Sequence, residues 1–316
     1  MVRRPPAVND LRRLLNRGLS VHGVLIALIV VLIALAIVAP NFYAPVNVSN
    51  TLRRSAMLGL ITVGQFTVML VRGIDLSVAA MAGFAVVAIT TVPNPWLGLL
   101  LSLGVAAMVG TVNALLVVKR KVPAFVATFG MLMVLEGARL LWTRGSISSE
   151  VPQEFVQIAR GTVGPVPIPV IFWVLLTALA VFWVRKTASG RQLVLSGASP
   201  RMAGLSGIAL GRNQWISFLA AAVLAVIGGV LLAGHAGYID RATGQGLELD
   251  SITAAILGGA RFIGGEGSYV GAALGALLLG VISTALVVLA LPPELQNIIK
   301  GVVLLVALAL HRMVAR

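Results

Sequence analysis

Acidic side chains are scarce in this chain, and three of them stand where a long apolar run begins. Asp75 belongs to the sequence GIDLS over residues 73–77, and Glu248 and Asp250 belong to GLELD over residues 246–250. A carboxylate in apolar surroundings must be paired, hydrogen-bonded or protonated. At a helix start it can accept backbone N–H groups and meets the positive end of the helix dipole. We therefore predict that Asp75, Glu248 and Asp250 cap helices, with binding of a proton or coupling ion as the alternative.

The two acidic sequences are 173 residues apart, and each follows a short or glycine-interrupted apolar run. Repeats of this kind surround the pathway of many transporters, where broken helices face the substrate. We therefore predict an internal repeat, although chance similarity between glycine-rich helix ends is an alternative explanation. The residues assigned to the pathway or to helix breaks are Gln65, Gly73, Asp75, Ser77, Gly246, Glu248 and Asp250.

Other charges in or beside the apolar runs suggest structural roles. Glu136 and Arg139 are three residues apart on one helix face, so we expect them to pair and neutralise each other. Glu266 precedes an apolar run that starts at Tyr269, and we expect it to cap that helix.

The sequence lacks the usual signatures of catalysis and of cofactor binding. No GxxxxGK[ST] phosphate loop occurs, and His22, His235 and His311 are too scattered for a metal site. The absence of cysteine excludes disulfides and thiolate chemistry. We expect no catalytic site and no cofactor in this chain.

The composition is that of a polytopic membrane protein. Hydrophobic residues make up 59% of the chain and charged residues 11%, with a mean hydropathy of +1.01. A formal charge of +14 would suit a nucleic-acid partner, but the charges lie in the gaps between apolar runs, as membrane topology requires. We predict an all-α membrane protein and no nucleic-acid partner.

Apolar runs bounded by charges and prolines predict about ten transmembrane helices. They cover residues 21–39, 56–71, 76–92, 96–118, 123–142, 168–184, 215–234, 249–260, 269–291 and 295–310. The longer ones can cross about 30 Å of hydrocarbon. Residues 1–20 then form a basic tail, and residues 21–312 form the transmembrane domain.

The basic residues predict the orientation of these helices. Ten crossings put both termini on one side. If that side is the cytoplasm, only five basic residues of the loops lie outside, namely Arg53, Arg54, Arg144, Arg160 and Arg241. Because cytoplasmic loops carry the excess of Lys and Arg, we predict cytoplasmic termini. The acidic sequence at 73–77 then lies on the inner side and the one at 246–250 on the outer side, so the repeat would be inverted.

The longest basic segment, residues 185–213, contains five basic residues and no acid. Within it Ser199 can cap a short helix, Pro200 suits its first position and Gly207 can end it. A capped helix on a cytoplasmic loop offers a surface to another protein, whereas the plainer interpretation is a solvated loop. The predicted coupling residues are Ser199, Pro200, Arg201, Met202, Ala203, Gly204, Leu205, Ser206 and Gly207.

Four sequence blocks resemble the permease subunits of bacterial ABC importers for monosaccharides, of the ribose, xylose and autoinducer type. They are GIDLSV at 73–78, VPAFVATFGM at 122–131, residues 197–208 with LSGI at their end, and residues 256–268 with ILGG and GEGS. They occur in consistent order across about residues 20–312. The family usually has a glycine where Arg72 stands.

The resemblance implies a type II-like importer fold with ten helices, located in the bacterial inner membrane. It also implies a second permease subunit, which completes the pathway as a homo- or heterodimer. A cytoplasmic ATPase that consumes ATP would dock on the short helix, and an extracytoplasmic binding protein would deliver a monosaccharide or small polyol.

Three other functions stay open on the sequence. A branched-chain amino-acid ABC permease has a related architecture. An ion-coupled secondary transporter would bind its ion at Asp75 or Glu248. A membrane-embedded transferase has no motif in its favour.

Overall fold

A computed structural model describes residues 8–145, 149–239 and 243–314. The described residues form thirteen α-helices, one 3₁₀ turn and four two-residue strands. The helices are α1 Val8–Val38, α2 Pro45–Leu70, α3 Ser77–Thr91, α4 Pro95–Val118, α5 Ala124–Thr143, α6 Gln153–Arg160, α7 Ile168–Lys186, α8 Ala188–Ala198, α9 Pro200–Leu205, α10 Leu210–Ala236, α11 Leu247–Leu257, α12 Tyr269–Val288 and α13 Pro293–Val314.

The short strands lie in the loops. The 3₁₀ turn is Pro40–Tyr43, and the strands are β1 Ser149–Glu150, β2 Thr162–Val163, β3 Val166–Pro167 and β4 Tyr238–Ile239. β1 pairs with β4 and β2 with β3, both antiparallel. These strands only join loops, so the predicted all-α class is correct for the described part of the chain.

Six of the described helices are long and apolar enough to cross a membrane: α1 from Val21 onward, α4, α5, α7, α10 and α12. α3 is apolar but shorter. The remaining predicted spans correspond to α2, α11 and α13, so the total of about ten crossings stays a prediction.

Local sequence explains where several helices begin. Pro45, Pro95 and Pro200 occupy the first turns of α2, α4 and α9, where a missing N–H costs nothing. The Asn94 side chain accepts from Trp96 N at 3.0 Å and thereby caps α4.

One helix boundary differs from the prediction, and two helices were not predicted. α1 begins at Val8, well before the expected span at residue 21, because the helix continues beyond its apolar part. The predicted loop at 143–167 contains α6, and the basic segment contains α8 as well as the expected short helix. Of the five basic residues predicted to lie outside, Arg241 is not among the described residues.

The core is built on α2 from Ser55 onward and on α3, whose residues are almost all buried. α2 packs against α10 and α12, and α3 packs against α4, α5 and α10. The helices approach closely where glycine replaces a larger residue. A Cβ on Gly64 would lie 2.7 Å from the Cα of Ala221, which explains why glycine is required there.

The pairing of helices follows a repeating pattern. α2 packs on α12 and α11, while α10 packs on α4 and α3. α2 and α10 run antiparallel, since Gly64 lies opposite Ala221 whereas Met57 lies opposite Gly228.

Two glycines occupy matching places in this pattern. Gly98 near the start of α4 packs against the backbone of Ala88 at the end of α3. Gly271 near the start of α12 packs against Gly258 at the end of α11, and the two glycines are 173 residues apart. In both cases a Cβ would collide with the end of the preceding short helix.

Two arginines tie α6 to the bundle. Arg53 Nη1 donates to Ala159 O at 2.8 Å, at the C-terminal end of α6. Arg160 Nε donates to His235 O at 3.0 Å, near the end of α10. Carbonyls at helix ends lack partners within the helix, so these guanidinium groups satisfy them and fix α6 across α2 and α10.

Candidate pathway and coupling sites

A helix break holds Asp75 in the interior. α2 ends at Leu70 and α3 begins at Ser77, and the Asp75 side chain between them is fully buried. Its Oδ1 accepts from Ser77 N at 2.9 Å and from Ser77 Oγ at 2.5 Å. Capping of α3 by Asp75, predicted from the sequence, is confirmed at this oxygen.

Side chains from three helices hold the break in place. The Gln65 amide on α2 fits best when it donates to Asp75 O at 2.9 Å and accepts from Asp75 N at 3.2 Å. Asn113 Nδ2 on α4 donates to Ser77 Oγ at 3.0 Å. Thr128 Oγ1 on α5 accepts from Leu76 N and donates to Ile74 O, both at 3.1 Å. The unwound backbone is therefore satisfied within the protein, as irregular backbone at membrane depth requires.

Sequence reasoning missed Asn113 and Thr128. Both are fully buried polar residues inside predicted spans, which is the signal that could have identified them. Among the described residues, Asp75 Oδ2 and Asn113 Oδ1 are buried without a hydrogen-bond partner. Each belongs to a side chain that binds Ser77 Oγ, so two unused acceptor oxygens flank one hydroxyl.

The second predicted break is present at Gly246, and only one of its acids acts as expected. Gly246 has φ of 85° at the start of α11, a conformation that favours glycine. Asp250 does not cap the helix, because its Oδ2 accepts from Lys300 Nζ on α13 at 2.8 Å, so that prediction is wrong. The Glu248 carboxylate accepts backbone N–H groups of Gly246 and Glu248 at the helix start, as a cap does, while its Oε2 is buried and finds no partner among the described residues.

The two breaks approach each other along α3. A Cβ on Gly244 would lie 3.1 Å from Ala79 O, two residues beyond Ser77 on α3. Arg139 Nη1 donates to Thr243 O at 3.2 Å, and Arg139 Nη2 pairs with Glu136 at 2.7 Å as predicted. α3 therefore lies beside residues of both predicted break regions.

Glu266 is not a helix cap. It pairs with Arg261 at 2.7 Å, and Ser268 caps α12 by accepting from Gly271 N at 3.3 Å. The predicted role of Glu266 is wrong because Ser268, two residues later, holds the N-cap position itself.

The short helix predicted for coupling is present as α9. Pro200 lies in its first turn and Gly207 follows it with φ of 72°, both as predicted. Ser199 holds the N-cap position, but its side chain accepts no capping hydrogen bond, so the predicted Ser199 cap is wrong.

Exposure separates the residues of α9 into two groups. Ala203, one of the predicted coupling residues, is buried and faces the protein, so it is not accessible to a partner. Met202 and Leu205 are 60% and 77% exposed, and nothing lies within 4 Å of a Cβ placed on Gly204. Arg201 and Ser206 are exposed as well. A two-residue apolar surface around an open glycine is therefore free on this helix.

α8 connects α9 to the rest of the molecule. Asn213 Nδ2 on α10 donates to Ser196 Oγ on α8 at 2.6 Å, and both groups are buried. Arg72, beside the Asp75 break, donates from Nε to Gly197 O at 2.6 Å and from Nη2 to Ala198 O at 3.3 Å. The C-terminal end of α8 is thus bound directly to the residue that begins the helix break.

A third segment meets α8 and the break at the same point. Gly265 N, in the loop before α12, donates to Leu70 O at the end of α2 at 2.8 Å. A Cβ on Gly197 would collide with Leu70 O, and one on Gly265 would collide with Ala198. The ends of α2 and α8 and the start of α12 therefore contact one another closely enough to require glycine.

Within the described residues, no group of three or more His, Cys, Asp or Glu side chains could hold a metal ion. The buried polar side chains brace the broken backbone around Asp75, and α9 presents an exposed apolar surface.

Comparison of the sequence with known proteins identifies a matching family and several similar proteins. A family model described as "Branched-chain amino acid transport system / permease component" matches residues 47–308. The chain is 35% identical over 302 residues to the autoinducer 2 import system permease protein LsrC of Enterobacter sp. (strain 638), which covers 93% of this chain and 86% of that protein.

Two ribose import permease proteins, both named RbsC, are also similar. The one from Bacillus subtilis (strain 168) is 33% identical over 296 residues, covering 92% of each chain. The one from Escherichia coli (strain K12) is 31% identical over 294 residues, covering 90% of this chain and 91% of its own. No solved structure matches the chain.

Proposed function

The chain belongs to the family described as branched-chain amino acid transport system permease components, and we propose that it is the pore-forming subunit of an ATP-driven importer for a monosaccharide or related small polyol. The similar proteins described above are named as importers of ribose or autoinducer 2, and they match over nearly the whole chain. This favours a sugar-like substrate over a branched-chain amino acid, which the family's description names.

The observation that carries the proposal is the exposed apolar surface of α9. Met202 and Leu205 project from a short helix whose other side, at Ala203, is buried. A soluble partner that covers Leu205 would gain roughly 1.5–3 kcal/mol from that side chain. We assign this surface to a cytoplasmic ATPase, which would supply the energy for transport.

The contacts that link α9 to α8 and to the helix break suggest how docking of the ATPase would change the pathway. Movement of α9 would act on α8, whose end Arg72 binds at Gly197 O. Arg72 adjoins the break that holds Asp75, so a shift of α8 would pull on the break through two hydrogen bonds. The contact of Gly265 N with Leu70 O would carry the same shift to α12.

The helix pairing supports an inverted repeat around the pathway. α2 and α10 run antiparallel. Each packs on a helix of the other half of the chain: α2 on α12, and α10 on α4. The match of Gly98 with Gly271 has the same 173-residue offset as the two acidic sequences. We propose ten crossings with cytoplasmic termini, a second permease subunit as partner, and a binding protein on the outer side.

An ion-coupled transporter is the second candidate function. Asp75 Oδ2 and Glu248 Oε2 are buried without partners in the described structure, at equivalent positions of the proposed repeat. In that mechanism a proton or cation bound at one of these oxygens would drive transport without an ATPase.

The proposal is tested by docking of the ATPase on α9. Gly204→Trp places a large side chain in open space on this chain, so it should leave the membrane fold intact and block the partner. Leu205→Ala should weaken the complex by roughly 1.5–3 kcal/mol if the side chain is fully covered. Co-purification of the ATPase and substrate-stimulated ATP hydrolysis are the measurements.

Gly130→Trp is the matched control, because Gly130 on α5 is equally open but lies away from α9. We expect it to retain complex formation. Full complex formation and full stimulated hydrolysis by Gly204→Trp would show that α9 is not the docking site.

A further inference from the structure

A cavity of about 720 Å³ opens between α1, α7 and α8, beside the start of α12. Its volume is within the range of ligand pockets, about 300–1,000 Å³. Phe66, Leu70 and Tyr269 form a buried floor, and the half-buried side chains of Val181 and Val184 form a wall. The interior is therefore mainly hydrocarbon, and it suits an apolar chain better than a water-soluble metabolite.

The rim of the cavity carries positive charge. Arg185 at the end of α7 and Arg191 on α8 line it, and both are exposed. Neither forms a salt bridge within the described residues, and the segment 185–213 contains no acid. Two guanidinium groups at the mouth of an apolar cavity are complementary to a ligand with an anionic head and a hydrocarbon tail.

Two of the helices that line the cavity expose large apolar side chains. Ile26 and Ile29 on α1 are 63% and 54% exposed, and Leu179 and Phe182 on α7 are 61% and 60% exposed. Both helices are long and apolar enough to cross the membrane. In a membrane the molecules nearest to the opening are therefore phospholipids.

We propose that this cavity binds one anionic glycerophospholipid, with its phosphate between Arg185 and Arg191 and an acyl chain against Val181 and Val184. Basic pockets between transmembrane helices bind lipid headgroups in this way. Free phosphate would leave the apolar walls uncovered. Residues 1–7 of this chain carry Arg3 and Arg4, and the rim would repel these charges.

The experiment is a lipid titration of the purified full-length chain in mild detergent, monitored by native mass spectrometry. Phosphatidylglycerol and phosphatidylcholine are compared, since they differ in net charge but share their acyl chains. We expect phosphatidylglycerol to bind at least fivefold more tightly. Arg185→Gln with Arg191→Gln should lower its affinity about 25-fold, that is, about fivefold for each arginine.

Lys186→Gln with Arg201→Gln is the matched control. It removes the same charge from the same segment, at residues that do not line the cavity. We expect less than a twofold change. Val181→Trp keeps both arginines and fills the interior, and it should reduce phosphatidylglycerol binding at least fivefold; thermal unfolding of each variant verifies its fold.

Four results would overturn the proposal: equal loss of affinity in the control pair, unchanged affinity in a folded Val181→Trp, equal binding of phosphatidylcholine, or equal competition by inorganic phosphate. If lipid binds only after residues 1–7 have been removed, these residues and not a lipid occupy the cavity in the full-length chain. None of these measurements depends on the ATPase, so failure here leaves the proposed transport function intact.

Discussion

Asp75 is the residue for which a structural role and a role in transport both have support. One oxygen of its buried carboxylate caps α3, while the other has no partner among the described residues. A cap requires only an acceptor oxygen, whereas a proton or cation site requires the acid itself. Substitutions that separate these properties therefore distinguish the two candidate mechanisms.

We expect Asp75→Asn to retain most transport and Asp75→Leu to lose most of it. Asparagine keeps an oxygen that can accept from Ser77 N, whereas leucine leaves that buried N–H unpaired at a cost of about 1–3 kcal/mol. Substrate uptake per folded protein is the measurement. If Asp75→Asn is as inactive as Asp75→Leu while both variants fold, the charge is required and the ion-coupled mechanism gains support.

At the scale of the elements, Arg72 joins the helix break to α8. Its backbone is left-handed, with φ of 67°, and its side chain spans from the end of α2 to the carbonyls at the end of α8. The family pattern that the sequence resembles predicts glycine there, so we expect the fold not to depend on this link and its loss to have a moderate effect.

We predict that Arg72→Gly leaves ATPase binding unchanged but lowers the amount of substrate transported per ATP hydrolysed about two- to tenfold. Glycine suits the left-handed backbone, so only the two side-chain hydrogen bonds are lost, each worth about 0.5–1.5 kcal/mol. Lys121→Gly is the control, because Lys121 is also exposed and basic with a positive φ of 55°. Unchanged coupling in Arg72→Gly would exclude this route between α9 and the break.

The elements that could be predicted from the sequence depend on residues close together in the chain. The helix at α9, the cap of α3 by Asp75 and the pair of Glu136 with Arg139 all involve neighbours within a few residues. The helix starting at Val8 was missed because polar residues in a helix give no membrane signal.

The contacts that could not be predicted join residues far apart in sequence. Asp250 pairs with Lys300, and Asn113 and Thr128 reach the break from two other helices. Apolar periodicity indicates that a helix exists, but it does not indicate which helices pack together. For the same reason the burial of Ala203 was not anticipated, since it depends on how α9 lies on the protein.

At the scale of the whole molecule, the orientation in the membrane decides whether α9 can meet an ATPase. Ser189 on α8 and Gln157 on α6 are both exposed, and the chain has no native cysteine. Cysteine at position 157 should react with a membrane-impermeant thiol reagent in intact cells. Cysteine at position 189 should react only after the membrane is opened. The reverse pattern would place α9 outside the cell and remove the docking surface from the ATPase.

The central claim is that this chain transports its substrate with energy from a bound ATPase. Its most direct test is uptake of labelled monosaccharides by proteoliposomes containing the chain, its ATPase and its binding protein. The account predicts uptake that requires ATP, continues in the presence of a proton uncoupler, and disappears with Gly204→Trp. Uptake without ATP that collapses when the uncoupler is added would contradict it and assign the transport to a coupling ion.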